Sequence, residues 1–416
     1  MHSYDLTHRA LDYLQTLCVD IPARPTGSPG NQRAVEWFAQ AIALFGFTTE
    51  MPMFNCMDWS AEGVSLTIGD DSFTAQASPY SLGCDVRGPL VVVSTLDELE
   101  QTAFGGAILL LRGDIAREPL MPKNFPFYNP EEHQHIYRLL ESGHPAAIIC
   151  ATRAEAMIED GDFDIPSVWM TIAEGARLAD HVGQTAHLIS RAERIPATAS
   201  NVIAYKRGSI DQRIVVMAHI DAKVGTAGAL DNAAGVVTLL LLAEMLDGYK
   251  GHHSIEIVAV NGEDYYANSG ELDYLHRNRD AFDQIELCIN LDGLGYIEGR
   301  TAYSLYACPP DLSAVIHTGL ASFTGLIEGE HWYQGDHMML VMQQRPALAF
   351  TSERLIELAS GILHTEQDTP ALVDPHRLVK AAHAVREVIG WIDCLGISSL
   401  TNENHRGSAR TSYPCD

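Results

Sequence analysis

The side chains best placed for chemistry stand where apolar runs of the chain stop. Ile214–Met217 (IVVM) leads into His219 and Asp221, Ile255–Val260 (IEIVAV) into Glu263 and Asp264, and Leu287–Leu291 (LCINL) into Asp292. A glycine-rich loop, GTAGALDN, delivers Asp231 to the start of a helical stretch, and a later loop, LHTEQDT, supplies His364. Imidazole plus carboxylate, with no thiolate, is a ligand set that suits Zn2+ in a hydrolytic site. The charge sum matches two ions. Three aspartates (Asp231, Asp264, Asp292) and one hydroxide offset four positive charges, and neutral His219 and His364 complete the shell. Two metals about 3.5–4 Å apart clamp both the attacking and the developing oxygen of a hydrolysis. Glu263 is left over, and a free carboxylate beside an activated water is what a general base requires.

Each of these residues has a plainer reading when taken alone. Asp231 would cap the helix beginning at Asn232, and Asp292 before Gly293 would be a turn residue. His219 would be a core histidine, and Glu263 and Asp264 two solvated loop acids. Their shared position at element ends favours the ligand reading over all of these. Other candidates fare differently. His252 and His253 follow a glycine turn and read as exposed loop residues, while His133 and His135, two apart on a helix, face different directions. The closest of the eight cysteines lie 20 positions apart, so no CxxC motif exists, and the thiols read as reduced and buried.

The elements that must position these groups follow from periodicity. From Asn201 onward, buried-type apolar runs alternate with helical stretches at Asn232–Leu246, Gly270–Asn278 and Asp311–Leu320, and Leu378–Cys394 gives a last long helix. This alternation predicts an α/β fold: a mostly parallel mixed sheet flanked by helices, with ligands gathering at the carboxyl ends of its strands. Leu11, Leu14 and Leu17, then about Gln32–Leu44, predict two N-terminal helices either side of the breaker-rich RPTGSPGN. Between them and the βα alternation the texture changes. Pro89–Val93, Ala107–Leu111, Ala146–Cys150 and Val168–Thr171 read as strands, with one helix at Glu131–Glu141. The expectation is a discontinuous domain, 1–54 plus 196–396, interrupted by a β-rich α+β insert at 55–195, with a flexible polar tail at 397–416.

The chain of 416 residues is 46% hydrophobic and 19% charged, which excludes global disorder. Its longest apolar stretch, around Val236–Leu242, is far short of the ~20 residues that span a bilayer. The N-terminal residues carry scattered charges and no apolar core of an export signal, so a cytoplasmic protein is expected. The net charge of −27 repels phosphate backbones and anionic lipid, which disfavours nucleic-acid and membrane partners.

The run VVMAHIDA…GALDNAAGV…AVNGED…NLDG…LHTEQDTPALVDP resembles the co-catalytic di-zinc aminopeptidase family, which also holds glutamate carboxypeptidases and glutaminyl cyclases. The likeness covers RPTGSPGN and then Asn201 to about Val388. GGAILLLRGD, SGHPAAIIC and DIPSVWMTIAEGARL in the insert resemble a protease-associated domain. The resemblance implies that His219 and Asp292 complete one zinc site, Asp264 and His364 the other, and that Asp231 bridges them. It implies Glu263 as the general base and Asp221 as the group that orients His219. It also brings Tyr333 and Asp336, within YQGDHMMLVMQQRPALAF, to the substrate pocket. The chain departs from the family's usual Glu-Glu pair with Glu263-Asp264, and Leu363 stands where some members carry a tyrosine. The implied activity is that of an aminopeptidase acting on peptides, because an acidic site attracts a free α-ammonium. Holding a terminal carboxylate needs cations, for which Arg345 and Arg354 are the nearest candidates. Glutamate-carboxypeptidase-like or glutaminyl-cyclase-like chemistry on the same site, and an inactive binding protein on the same scaffold, stand as alternatives.

Overall fold

Arg213–His219, Ser254–Val260 and Ile285–Leu291 are buried at every position, the mark of strands covered on both faces. The structure, a computed structural model, describes residues 3–395 apart from Pro22 and Ala154; the tail read at 397–416 lies outside the described residues. The three strands lie side by side in an eight-stranded mixed sheet. Its order is Thr48–Glu50, Val202–Lys206, Ser254–Val260, Arg213–His219, Ile285–Leu291, Ala347–Ser352, Thr301–Tyr306 and Leu326–Glu328. The central four are mutually parallel, and antiparallel neighbours flank them on both sides. Parallel register pairs His219 with Val260 and Met217 with Asn290, so the chain leaves all three strands at one edge of the sheet. Ala234–Met245 is buried along nearly its whole length, packed between that sheet and the helices Ser3–Gln15, Pro29–Ala43 and Pro375–Leu395. Each fully buried leucine of this helix contributes about 1.5–3 kcal/mol, which anchors the loop ahead of it.

A second eight-stranded sheet is built from residues 53–200. Met53–Ile68 and Thr185–Ser200 form a long antiparallel ribbon, paired from Met53↔Ser200 to Ile68↔Ala186, that carries the chain out and back. Cys84–Val93, Ile108–Leu111, Ala147–Thr152 and Ser167–Thr171 pair in parallel beyond it, around apolar clusters of their own.

Two local expectations are corrected. His252 is exposed, but His253 is fully buried, and its ring Nδ1 and backbone N–H bond Asp393 at 2.8 and 2.9 Å. The helix expected from Asn232 begins at Ala234, because Ala229–Ala233 form a separate tight turn. Every described cysteine is free. No helix among the described residues is long and apolar enough to cross a membrane.

Candidate metal centre

His219, Asp231, Asp264, Asp292 and His364 converge. His219 Nε2 lies 3.0 Å from Asp231 Oδ1 and 3.6 Å from Asp292 Oδ1. His364 Nε2 lies 3.0 Å from Asp231 Oδ2 and 3.2 Å from Asp264 Oδ1. The two oxygens of Asp231 therefore face different histidines. One ligand-type atom each from His219, Asp231 and Asp264 lies within 4.8 Å of the others. Glu263 feels the charges of His219, Asp264 and Asp292 and lines a cavity of about 640 Å³ together with Asp264 and His364.

Local chemistry explains how these side chains are held. Asp231 does not cap the following helix; Asn232 performs that task, its Oδ1 accepting from Gly235 N–H while its Nδ2 donates to Leu291 O. This leaves the Asp231 carboxylate free. Asp221 Oδ1 lies 3.7 Å from His219 Nδ1 and accepts from Gly262 N–H, while Oδ2 accepts from Asp264 N–H and the Thr26 hydroxyl. Asp221 thus ties the loop carrying Glu263 and Asp264 to the strand that carries His219. Arg24, fully buried, donates to the carbonyls of Leu17, Ile220, Ala227 and Gly228. Asn31 and Asn261 exchange amide hydrogen bonds at 2.9 Å.

Both ring nitrogens of His219 and Oδ2 of Asp264 are buried without a hydrogen-bond partner. Such an atom costs about 1–3 kcal/mol when left unpaired, and here several carboxylates crowd around it. Burial pushes the Glu263 carboxyl well above the usual carboxylate range; Asp264 and Asp292 add to that, and His219 works against it. Burial disfavours charge on His219, yet Asp221, Asp231 and Asp292 outweigh it and raise the imidazole. Without cations the cluster must take up protons. Divalent cations answer the same charge, and nitrogen plus carboxylate donors match zinc chemistry.

The expected pocket residues divide. Tyr333 is 64% exposed. Asp336 does not line the cavity: it is fully buried with neither oxygen hydrogen-bonded, and burial, then the Glu271 charge, pushes its carboxyl well up. Gln334 takes the lining position instead. Arg354 is engaged at the surface by Glu298 and Glu357, and Arg345 donates to backbone carbonyls of Phe282 and Gln344. His133 Nδ1 accepts from Met121 N–H and so fastens one cavity wall. Arg24, Thr26, Asn31, Lys223, Asn261 and Asp368 also stand around the site and were not among the expected residues. The polar side chains inside RPTGSPGN and the second acid of HTEQDT were the available signals.

An α/β sheet with these groups at the carboxyl ends of its parallel strands defines the zinc-exopeptidase class of fold. Residues 201–389 match the model of Peptidase family M28. The "Probable lipoprotein aminopeptidase LpqL" of Mycobacterium tuberculosis is 27% identical over 289 residues. That match covers 65% of this chain and 55% of the relative, so the chain spans only about half of that protein's length. Among solved structures, an aminopeptidase from Aneurinibacillus sp. strain AM-1 superposes with a TM-score of 0.72 at 21% identity, covering 93% of both chains. BSAP, a zinc aminopeptidase from Bacillus subtilis, gives 0.74 at 18% identity, covering 92% of this chain and 94% of its own.

Proposed function

We propose that the protein is a zinc-dependent aminopeptidase that removes N-terminal residues from peptides, using a pair of ions. The observation that carries this reading is Asp231, whose two oxygens each lie 3.0 Å from a different histidine, as a bridging ligand requires. His219 and Asp292 would hold one ion, and His364 and Asp264 the other. Bound there, zinc supplies Lewis acidity that polarises a scissile carbonyl and acidifies water. Glu263 is the general base: raised by burial and standing in the cavity wall, it takes a proton from the attacking water and returns it to the leaving amine. Asp221 fixes the ring of His219. Glu263, Asp264 and Glu155 give the cavity an acidic lining that favours a free α-ammonium over nucleic acid or anionic membrane. Residues 55–195 are assigned to a separate inserted, protease-associated-like module.

The test is a screen of aminoacyl anilides and their N-blocked counterparts with and without chelator. Hydrolysis of free-amine substrates alone, abolished by chelator and restored by zinc, is expected. Preference for N-blocked substrates, or activity indifferent to chelator, would overturn the reading.

A further inference from the structure

Two cavities meet at the metal centre. One, of about 640 Å³, holds Glu263 and Asp264. The other, of about 400 Å³, is walled mainly by residues between Trp59 and Trp169. They share Glu155, Ala156, Glu159, Lys223 and His364. Lys223 therefore stands at their junction, four residues beyond His219 on the loop that also carries Asp221.

Lys223 is an unusual residue for this place. The cavities are lined by Glu62, Glu155, Glu159, Glu263 and Asp264, and Lys223 and Arg117 are the only lysine or arginine side chains among the described lining residues. Arg117 is spent on its exposed neighbour Glu118. Lys223 Nζ bonds Glu159 Oε1 at 3.0 Å, and both side chains are 22% exposed. An ammonium has three donors, and only one of them finds an acceptor among the described residues. A part-exposed ion pair adds little to stability, too little for stability alone to explain a cation in an acidic site. Burial works against the Lys223 charge, and Glu159 and Asp264 outweigh it and hold the ammonium up.

We propose that Lys223 receives the C-terminal carboxylate of a short peptide, which makes free-acid di- and tripeptides the favoured substrates of this site. The inference rests on the aminopeptidase reading and names its substrate class. Lys223 acts electrostatically on Asp264 and Glu263 but forms no ion pair with either. A carboxylate bound to it therefore lies beyond the reacting carbonyl, and at roughly 3.3–3.6 Å per residue the di- and tripeptide of the test bracket the shortest spacings. Glu159 competes with that carboxylate for the same ammonium, so it tempers the subsite.

The experiment compares kcat/KM for a di- and a tripeptide as free acids and as C-terminal amides, beside the matching aminoacyl anilide, in the zinc-loaded full chain. The wild type should prefer the acid by about 10-fold or more, the size of a charge-assisted hydrogen bond. In Lys223→Gln the acid-to-amide ratio should collapse to about 1; a ratio cancels any general loss of activity. In Glu159→Gln the ratio should rise through a lower KM for the acid, an effect that a merely structural ion pair does not produce. An enzyme that cleaves the anilide but treats acid and amide alike overturns this inference alone, as does a Lys223→Gln variant that keeps the preference. A chain that cleaves neither peptide nor anilide with zinc bound overturns the parent reading and this inference together.

Discussion

Asp368 holds Asp231 by its backbone: its carboxylate accepts from Leu230 N–H at 2.7 Å and from Asp231 N–H at 3.1 Å. The loop that carries the shared aspartate is thereby fastened to the loop that carries His364. Two members of the converging cluster, distant in sequence, are set by one buried side chain.

Asp368→Asn replaces one of those acceptor oxygens with an amide NH2, a donor facing an N–H. Zinc affinity should fall about 10- to 100-fold, the usual effect of removing a group that orients a ligand. Competition with a chromogenic chelator measures it, and circular dichroism checks the fold. Unchanged affinity would show that Asp231 needs no such support.

Glu263→Gln keeps the shape and polarity of the side chain but removes its basicity. Turnover should drop by about 100-fold or more while zinc affinity stays within a few-fold, because Glu263 is not among the converging ligands. Full activity in this variant would take the proton-transfer role away from Glu263.

Arg24→Met should lower stability by about 3–5 kcal/mol in urea unfolding. It strands four carbonyls that receive charged hydrogen bonds and that belong to three separate segments near the site. A loss under about 1 kcal/mol would mean that water replaces the guanidinium freely.

His337 offers a test by pH. Burial holds its imidazole down at about 4; the Trp332 carbonyl opposes that, and His331 reinforces it. The unfolded chain protonates this residue near about 6.5, so its contribution is complete above that pH and is lost as pH falls towards 4. Between pH 7.5 and 5 the wild type should lose more melting temperature than His337→Gln, by up to about 2 kcal/mol of stability. Parallel pH profiles for the two proteins would contradict this placement.

The sheet and the five residues that converge beside it were legible because the signals are local. Continuous apolar runs mark strands buried on both faces, and the residues just past them occupy the one edge where parallel strands end together. What escaped was set by partners far away in sequence. His253 looks like its exposed neighbour His252 until Asp393, on the last helix, is brought beside it. Arg24 gains meaning only when Ile220 and Gly228 fold over it. The ribbon Met53–Ile68 and Thr185–Ser200 left no apolar run, because long stretches of it are half-exposed on both faces. Asp336 was drawn to the pocket by its sequence neighbours, whereas its chain position turns it into the interior. Lys223 was passed over because a lone lysine in a loop carries no pattern; only the cavity walls reveal its position.

Anomalous diffraction at the zinc edge, from crystals grown with zinc, tests the central claim most directly. Two peaks are expected, one between His219 and Asp292 and one between His364 and Asp264, with Asp231 touching both. A single peak, or peaks away from Asp231, would contradict a paired-ion centre held by these five side chains.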